Sequence, residues 1–454
     1  MRARRLSLGV LLIVTVGGIL WLARSRQAIQ TVVLPDGSRL TLLKVTSGTN
    51  HMCRFDHRWQ DFLYPILPLN LRVRLPARVM EWSSGNRDSV MVWFRRDGLP
   101  SAGVEATRIY LSAADDYGLE SPVQQMPHTT RTTGSLKSAT NTAGTQFSGW
   151  ELAGFPKRSR HFHIVIRYPT PTELSRAGGF RVPNPARRKF PVWTAEELPA
   201  TRKTNGLEVT LAKLETGLSG AMSGAGLSIP ARVFSRATFQ FGENARTTEG
   251  WAVTQIRARG ATGETRSGNH QTVQWWEGRH RADMWGGLWL EEPAWKLEVD
   301  VARTADFPAE DLWGIKEVRL PQPGEIVEHR VETNLHAVKL EFLGVSGLKD
   351  SRGTQVTPSY AVIHVRTQYP LDGLHVLLVQ VRDDRGRPAA AHGLTNSIGT
   401  GSGGNTPKES LTGFRVEIPE GAKSLDITLA ATPIRHVEFL AKPVMFVPPA
   451  KTAD

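Results

Sequence analysis

Three stretches of the chain repeat one spacing of apolar residues. The first stretch begins at Phe155, which is followed by apolar residues seven, nine and eleven positions later, and stretches beginning at Leu290 and Ile418 follow the same rule. The last three positions of each stretch alternate with period two, which is the pattern of a β-strand with one buried face. A spacing that recurs three times predicts one structural unit used three times.

Other strands recur in the same order along the three predicted units. Each unit opens on an alternating apolar run, and these runs begin at Leu40, Val209 and Val338. Each unit also has a middle strand that contains arginine and ends at a glycine turn, and these strands are residues 92–98, 254–260 and 379–386. Short strands separated by polar, glycine-rich turns predict an all-β fold of antiparallel β-sandwiches.

Proline-rich connections mark the predicted module boundaries. The three predicted sandwich modules span residues 31–190, 200–323 and 331–449, and the first contains a long loop at 99–149. In strand pattern, nearly all of residues 31–449 resembles the immunoglobulin-like or fibronectin-type-III-like modules of bacterial cell-envelope proteins. The Cys–Trp–Cys hallmark of antibody-type domains is absent, so the resemblance implies an architecture and no particular activity.

The N-terminal segment, residues 1–26, predicts a membrane anchor. Residues 6–23 are 18 consecutive uncharged residues flanked by arginines, and as a helix they would span about 27 Å, which is close to a bilayer core. The three arginines before this run favour a single-pass protein with its N-terminus inside and its bulk outside the cytoplasm. The alternative is a cleaved signal peptide, for which Ala23 and Ser25 would flank the cleavage site.

The distribution of charge narrows the range of partners. The formal net charge is +13, and residues 201–454 contribute nothing to it because they carry 29 basic and 29 acidic side chains. The basic excess therefore lies toward the N-terminus, which argues against a nucleic-acid-binding protein with a basic surface throughout. It suits a membrane surface or an anionic wall polymer near the first module.

The single cysteine excludes an intramolecular disulfide and lies in a possible metal-binding cluster. His51, Cys53 and His57 carry soft and borderline ligands suited to zinc or copper, although a loop would have to bring the two histidines together. The alternative is an ordinary surface connection with a partly buried thiol. No cofactor is predicted from any other feature. The glycine run at 399–404 lacks the following helix that a dinucleotide site needs.

Tryptophan enrichment gives the best sequence lead to a binding site. The chain has 13 tryptophans, and exposed indoles stack on sugars or anchor protein partners. The candidate binding residues are Trp275, Trp276, Trp285, Trp289 and Trp295. The alternative is that these rings fill the core of the second module.

No catalytic motif is evident, so the sequence predicts a non-catalytic protein with an adhesive, scaffolding or ligand-binding role at the cell envelope. Polysaccharides, anionic wall polymers and envelope proteins are the partners considered. The rival hypothesis is a polysaccharide-binding accessory protein or a glycoside-active enzyme that uses the Trp-rich second module. Its candidate carboxylates are Glu277, Asp283, Glu291 and Glu292.

Overall fold

A computed structural model describes residues 30–447 except 55–78, 85–86, 99–108, 122–123, 126–144, 153, 171–173, 225–226, 244–245, 270–272, 277–278, 323, 349–359, 369–372 and 401–408. The regular structure of this part is β-strand, with one short 3₁₀ turn at Ala309–Asp311, which confirms the all-β prediction. In the same part no helix has the length and apolar character needed to cross a membrane. The predicted anchor at 6–23 lies outside it.

Residues 1–189 form the first of two compact units. Its strands are β1 (Thr31–Val33), β2 (Arg39–Ser47), β3 (Asn50–Arg54), β4 (Val79–Ser83), β5 (Val90–Asp97), β6 (Tyr110–Ala114), β7 (Gln124–Gln125), β8 (Gln146–Glu151), β9 (His161–Pro169) and β10 (Leu174–Pro183). They form two antiparallel sheets, in the orders β1-β2-β5-β8 and β10-β9-β6-β7. Strands β3 and β4 pair only with each other, and we call this pair the β3–β4 ribbon.

The two sheets of this unit face each other across one core. The core includes Val92 and Phe94 from the first sheet and Phe162 and Ile164 from the second, and none of the four is more than 1% exposed. Phe162 and Ile164 belong to the repeated pattern. The period of two therefore places the apolar side chains of β9 on the inner face of a β-sandwich.

Residues 190–454 form the second compact unit. Its strands are β11 (Ala200–Thr204), β12 (Leu207–Gly224), β13 (Leu227–Glu243), β14 (Arg246–Thr247), β15 (Trp251–Gly260), β16 (Thr265–Asn269), β17 (Val273–Trp276), β18 (Arg279–Trp285), β19 (Trp295–Arg303), β20 (Leu312–Arg319), β21 (Ile326–Leu335), β22 (Val338–Gly347), β23 (Tyr360–Gln368), β24 (Leu374–Asp383), β25 (Ala391–Thr400), β26 (Glu409–Glu417), β27 (Ser424–Pro433), β28 (Arg435–Ala441) and β29 (Val444–Met445).

Four sheets make up this second unit. Their orders are β11-β12-β13-β18-β17, β16-β15-β19-β28, β20-β27-β24 and β21-β22-β23-β26-β25, with β14 added to β13 and β29 added to β12. The last two sheets share a core that includes Ile315 and Ile427 from one and Phe342 and Ile363 from the other. In the first two sheets, the ring centroids of Phe239 (β13) and Phe439 (β28) lie 6.2 Å apart.

Two strands of this unit are exchanged between its sandwiches. In the first unit, β10 follows β9 in sequence and pairs with it. In the second unit, β20 follows β19 but pairs with β27. Strand β28 follows β27 but pairs with β19. The sheet that contains β19, from the predicted second module, is thus completed by β28, which follows β27. The sheet that contains β27, from the predicted third module, is completed by β20, which follows β19. We call this arrangement the reciprocal strand exchange.

The middle strands do not all occupy equivalent places. Strands β15 and β24 pair with the repeated strands β19 and β27, but the strand that pairs with β9 is β6, not β5. The turns after β6, β15 and β24 also share a backbone hydrogen-bond pattern: Gly118, Gly263 and Gly386 each donate to the residue three positions earlier. The predicted equivalence of 92–98 with 254–260 is therefore wrong, and β6 takes that place in the first unit.

Candidate functional site

Two of the five candidate tryptophans are buried within the second unit. Trp289 is 1% exposed and Trp295 is fully buried. The Nε1 of Trp289 donates to Glu264 Oε2 at 3.1 Å, and the Nε1 of Trp295 donates to the carbonyl oxygen of Trp289 at 3.2 Å. Since both rings are buried and both indole N–H groups donate hydrogen bonds inside the protein, these two residues cannot stack on a ligand, and the prediction of a binding face is wrong for them.

The other three candidate tryptophans lie on neighbouring strands of one sheet. Trp285 is half-buried at the end of β18 and lies opposite Phe234 of β13. Trp275 and Trp276 lie on the edge strand β17. The side chains of these two residues are outside the described part, so their place in a binding face stays a prediction.

Asp283, a candidate carboxylate of the glycosidase hypothesis, belongs to an ion pair. Arg236 donates from Nε to one oxygen of Asp283 at 2.7 Å and from Nη2 to the other at 2.9 Å, across strands β13 and β18. The hydrogen bond and charge of Asp283 raise the pKa of Arg236 above its ordinary value. Glu292 is buried and Glu291 is partly buried, whereas Glu277 lies outside the described residues. Both oxygens of Asp283 are therefore engaged by Arg236.

His280 is a buried histidine on β18, the strand that also contains Asp283. It is 5% exposed, and its ring meets the edge of the Phe241 ring with centroids 4.8 Å apart. Burial in this apolar contact lowers the pKa of His280 from 6.5 to about 4. The folded protein therefore keeps His280 neutral at pH values where an unfolded chain would protonate it.

We expect the second unit to lose stability as the pH falls below about 7. Between the unfolded pKa of 6.5 and the folded value of about 4, the unfolded chain binds the proton more readily. One group of this kind lowers the free energy of unfolding by about 2 kcal/mol between pH 8 and pH 5. Urea unfolding followed across this range would measure the loss, and His280→Phe should flatten the dependence. Equal slopes in the two proteins would contradict the assignment.

The strongest candidate site lies between the outer face of the first sheet and the β3–β4 ribbon. Strand register places Thr46 (β2), Met91 (β5) and Glu151 (β8) side by side in one row across this face. Neighbouring strands are about 4.8 Å apart, so Met91 lies between the other two. Trp93, two residues further along β5, points to the same face and is 1% exposed.

His51 of the ribbon lies over this row. Its Nδ1 is 2.9 Å from the hydroxyl of Thr46, which also accepts a hydrogen bond of 3.0 Å from Trp93 Nε1. Glu151, at the other end of the row, interacts electrostatically with His51. Burial lowers the pKa of His51, and the charge of Glu151 and a backbone hydrogen bond with Gly48 offset part of that effect. The side chain is 1% exposed, and among the described residues no side-chain or backbone group is within hydrogen-bonding geometry of its Nε2.

Cys53 completes the ribbon's inward face. It is two residues beyond His51 on the same strand, so both side chains point the same way, and it is 2% exposed. It packs with Met91 and Trp93 in a small core separate from the main one. His57 lies outside the described residues. Among the described residues, no three His, Cys, Asp or Glu side chains form a group able to hold a metal ion.

Glu151 fastens the ribbon to the sheet. Its Oε1 accepts hydrogen bonds from the hydroxyls of Ser84 and Ser89 at 2.7 and 2.6 Å, and its Oε2 accepts one from Trp82 Nε1 at 3.2 Å. Burial alone would raise the pKa of Glu151, but the bonds from Ser89, Ser84 and Trp82 outweigh it, so the pKa is lowered. Trp82 keeps 41% of its surface exposed and forms the outer edge of the site.

Gly149 leaves room for Trp93, so we expect Gly149→Ala to damage this site. A Cβ at position 149 would lie 2.6 Å from Trp93 Cζ3, which would push the indole away from Thr46. Overpacking of this kind costs about 1–3 kcal/mol. Thermal unfolding would measure it, with Gly314→Ala as the control because a Cβ there meets nothing within 4 Å. Similar effects of the two changes would contradict the expected clash.

Sequence reasoning identified His51 and Cys53 but missed Thr46, Met91, Trp93 and Glu151. For Met91 and Trp93 the sequence signal is the unbroken apolar run from Val90 to Phe94, since a strand that is apolar at consecutive positions has both faces covered. That run predicts a second covered face but does not say what covers it. Chemically, the site holds an imidazole nitrogen, a thiol, a thioether and an indole in an enclosed space.

Comparison with known proteins assigns no family to this chain. No protein-family model matches the chain, and no curated protein matches it. Among solved structures, the crystal structure of the conserved domain protein from Bacillus anthracis matches over 55% of this chain and 91% of that chain, at 10% sequence identity and a TM-score of 0.16. A likeness at that TM-score supports no inference about fold or function.

Proposed function

We propose that the chain is a non-catalytic, membrane-anchored protein with a scaffolding and ligand-binding role at the cell envelope. Residues 6–23 would hold it in the membrane with the N-terminus inside, and the sandwiches, of immunoglobulin-like or fibronectin-type-III-like form, would stand outside the cytoplasm. The observation that carries this proposal is the reciprocal strand exchange. A module that depends on another for its last strand cannot turn independently, which favours a fixed support over a flexible tether.

The ion pairs of the second unit also support a structural role. Asp283 binds Arg236, and Glu264 binds Arg266 Nη1 at 2.9 Å while accepting the Trp289 indole. Both carboxylates therefore stabilise the fold. A glycosidase needs two carboxyl groups that face the substrate, one of them able to give up a proton.

The basic first unit points to an anionic partner. Residues 27–200 carry 22 basic against 14 acidic side chains, whereas residues 201–454 are balanced. Fixed positive charge close to an anchor would attract a polyanionic wall polymer or an anionic lipid surface. The alternative role in polysaccharide binding would depend on exposed rings such as Trp82, because Trp289 and Trp295 are buried.

Binding by the full chain in detergent tests the proposal. We expect saturable binding to an immobilised polyol-phosphate polymer, weakening as salt rises, and weaker binding to an uncharged glucan. Trp82→Ala separates the two partners, since it should reduce only binding to the glucan. A folded chain that binds neither polymer, or that releases reducing sugars from the glucan, would contradict the proposal.

A further inference from the structure

We infer that the space under the β3–β4 ribbon is a binding site for a soft monovalent metal ion, Cu(I), with His51 Nε2, Cys53 Sγ and Met91 Sδ as its ligands. Thiolate and thioether sulfur together with imidazole nitrogen form a donor set that selects Cu(I) over harder cations. A thioether is not among the donors of an ordinary zinc site.

The convergence of the three donors follows from strand register. Met91 is the middle residue of the row Thr46–Met91–Glu151. His51 hydrogen-bonds to Thr46, which is the neighbour of Met91 in that row. Cys53 follows about 7 Å along the same face of the ribbon and belongs to the same small core as Met91.

His51 provides the independent sign of a missing ligand. Leaving a buried polar nitrogen without a hydrogen bond destabilises a fold, yet among the described residues Nε2 of His51 has no hydrogen-bond partner although the residue is only 1% exposed. The other nitrogen of the ring is already fixed by Thr46. Metal-binding histidines commonly have this arrangement, in which one nitrogen is hydrogen-bonded and the other faces the metal.

The surroundings of the site suit a sulfur-bound Cu(I). Trp93 packs with Cys53 and Met91 in the same small core, and an indole face attracts a cation. Glu151 places a negative charge nearby that would offset the charge of the ion. On binding, the Cys53 thiol would release its proton to solvent and the ion would keep its oxidation state, so no electron transfer is needed.

Access to the site would require movement of the ribbon. Within the described part of the chain, strands β3 and β4 join no larger sheet, and an isolated two-stranded ribbon is marginally stable by itself. Its attachment to the first sheet includes the hydrogen bonds to Glu151 and Thr46. Opening of these few contacts would expose all three donors together.

Anaerobic titration of the reduced full chain with Cu(I) against the chelator bicinchoninate tests this inference. We expect one tightly bound ion per chain, and X-ray absorption should show sulfur and nitrogen ligands. Cys53→Ser and His51→Gln should abolish stoichiometric binding. Thr46→Val, which removes the hydrogen bond that orients the imidazole, should weaken binding about tenfold or more.

Met91→Leu and Met52→Leu form the matched pair. Met52 lies between His51 and Cys53 in sequence but points outward and is 42% exposed, so its replacement should leave binding unchanged, whereas Met91→Leu should weaken it. Circular dichroism of each variant checks the fold, and Cu(I) should raise the Tm of the wild type but not of Cys53→Ser. Three results would overturn the inference: no bound copper in the folded wild type, equal binding by the two Met variants, or tighter binding of Zn²⁺ than of Cu(I).

Discussion

Phe439→Ala is expected to destabilise the second unit by about 3–5 kcal/mol, the cost of removing a fully buried aromatic ring. Phe439 lies on β28 and is 1% exposed. Its backbone pairs with Leu297, its ring meets Phe239, and the guanidinium of Arg202 lies 5.1 Å from the ring centroid. These three neighbours precede it by more than 140 residues, so a change near the C-terminus should disrupt the sandwich that begins near residue 200.

Urea unfolding monitored by tryptophan fluorescence would measure this loss. Trp251, Trp289 and Trp295 report on the sandwich that contains β19, and Trp313 reports on the other. Because the two sandwiches exchange strands, we expect one shared transition that moves as a whole. Val444→Ala is the control, since that side chain is 51% exposed and its loss should cost little. An effect of Phe439→Ala confined to the β20-β27-β24 sandwich would contradict the strand assignment.

Asp283→Ala is expected to lower the free energy of unfolding by about 3–5 kcal/mol, because it leaves the buried charge of Arg236 without its hydrogen-bonded carboxylate. Asp283 is 4% exposed and accepts both hydrogen bonds of the pair. Thermal unfolding of the purified chain would measure the loss. In the rival reading, in which Asp283 serves catalysis, its removal would leave stability nearly unchanged or raise it.

A double replacement separates the effect of losing the ion pair from the effect of leaving Arg236 without Asp283. Arg236→Met with Asp283→Leu removes both partners, and well-packed apolar replacements of a buried ion pair are often neutral. We therefore expect the double variant to be more stable than Asp283→Ala alone. A double variant as unstable as the single one would show that the pair itself, and not the unpaired arginine, carries the stability.

The strands of this fold were predictable from sequence, but their partners were not. The period of two correctly marks the buried side chains of β9, β19 and β27, because alternation depends only on local backbone geometry. The same alternation appears in β28, where Val437 and Phe439 are buried. It indicates that one face must be covered, yet it does not say that the paired strand lies about 140 residues earlier, or that the covering ring of Phe239 lies about 200 residues earlier.

The candidate sites show the same limit. His51 and Cys53 were predictable as candidate ligands from sequence, because histidine and cysteine this close together in sequence are uncommon. Met91 becomes the third donor only through strand register, which places it beside Thr46, the hydrogen-bond partner of His51. The Trp prediction failed for Trp289 because the residue type does not reveal burial, and the carboxylate that accepts its indole hydrogen bond is Glu264, on a neighbouring hairpin turn.

The reciprocal strand exchange also sets an order in which a newly made chain can fold. The first sandwich has all its strands once residue 183 has emerged from the ribosome or the export channel. The sheet containing β19 stays incomplete until residues 304–441 have also been made, because its strand β28 ends at Ala441. During that interval β19 presents an unpaired edge, which is prone to pairing with other chains. The second unit therefore cannot complete this sheet before β28 has emerged, and the interval calls for a chaperone that shields strand edges.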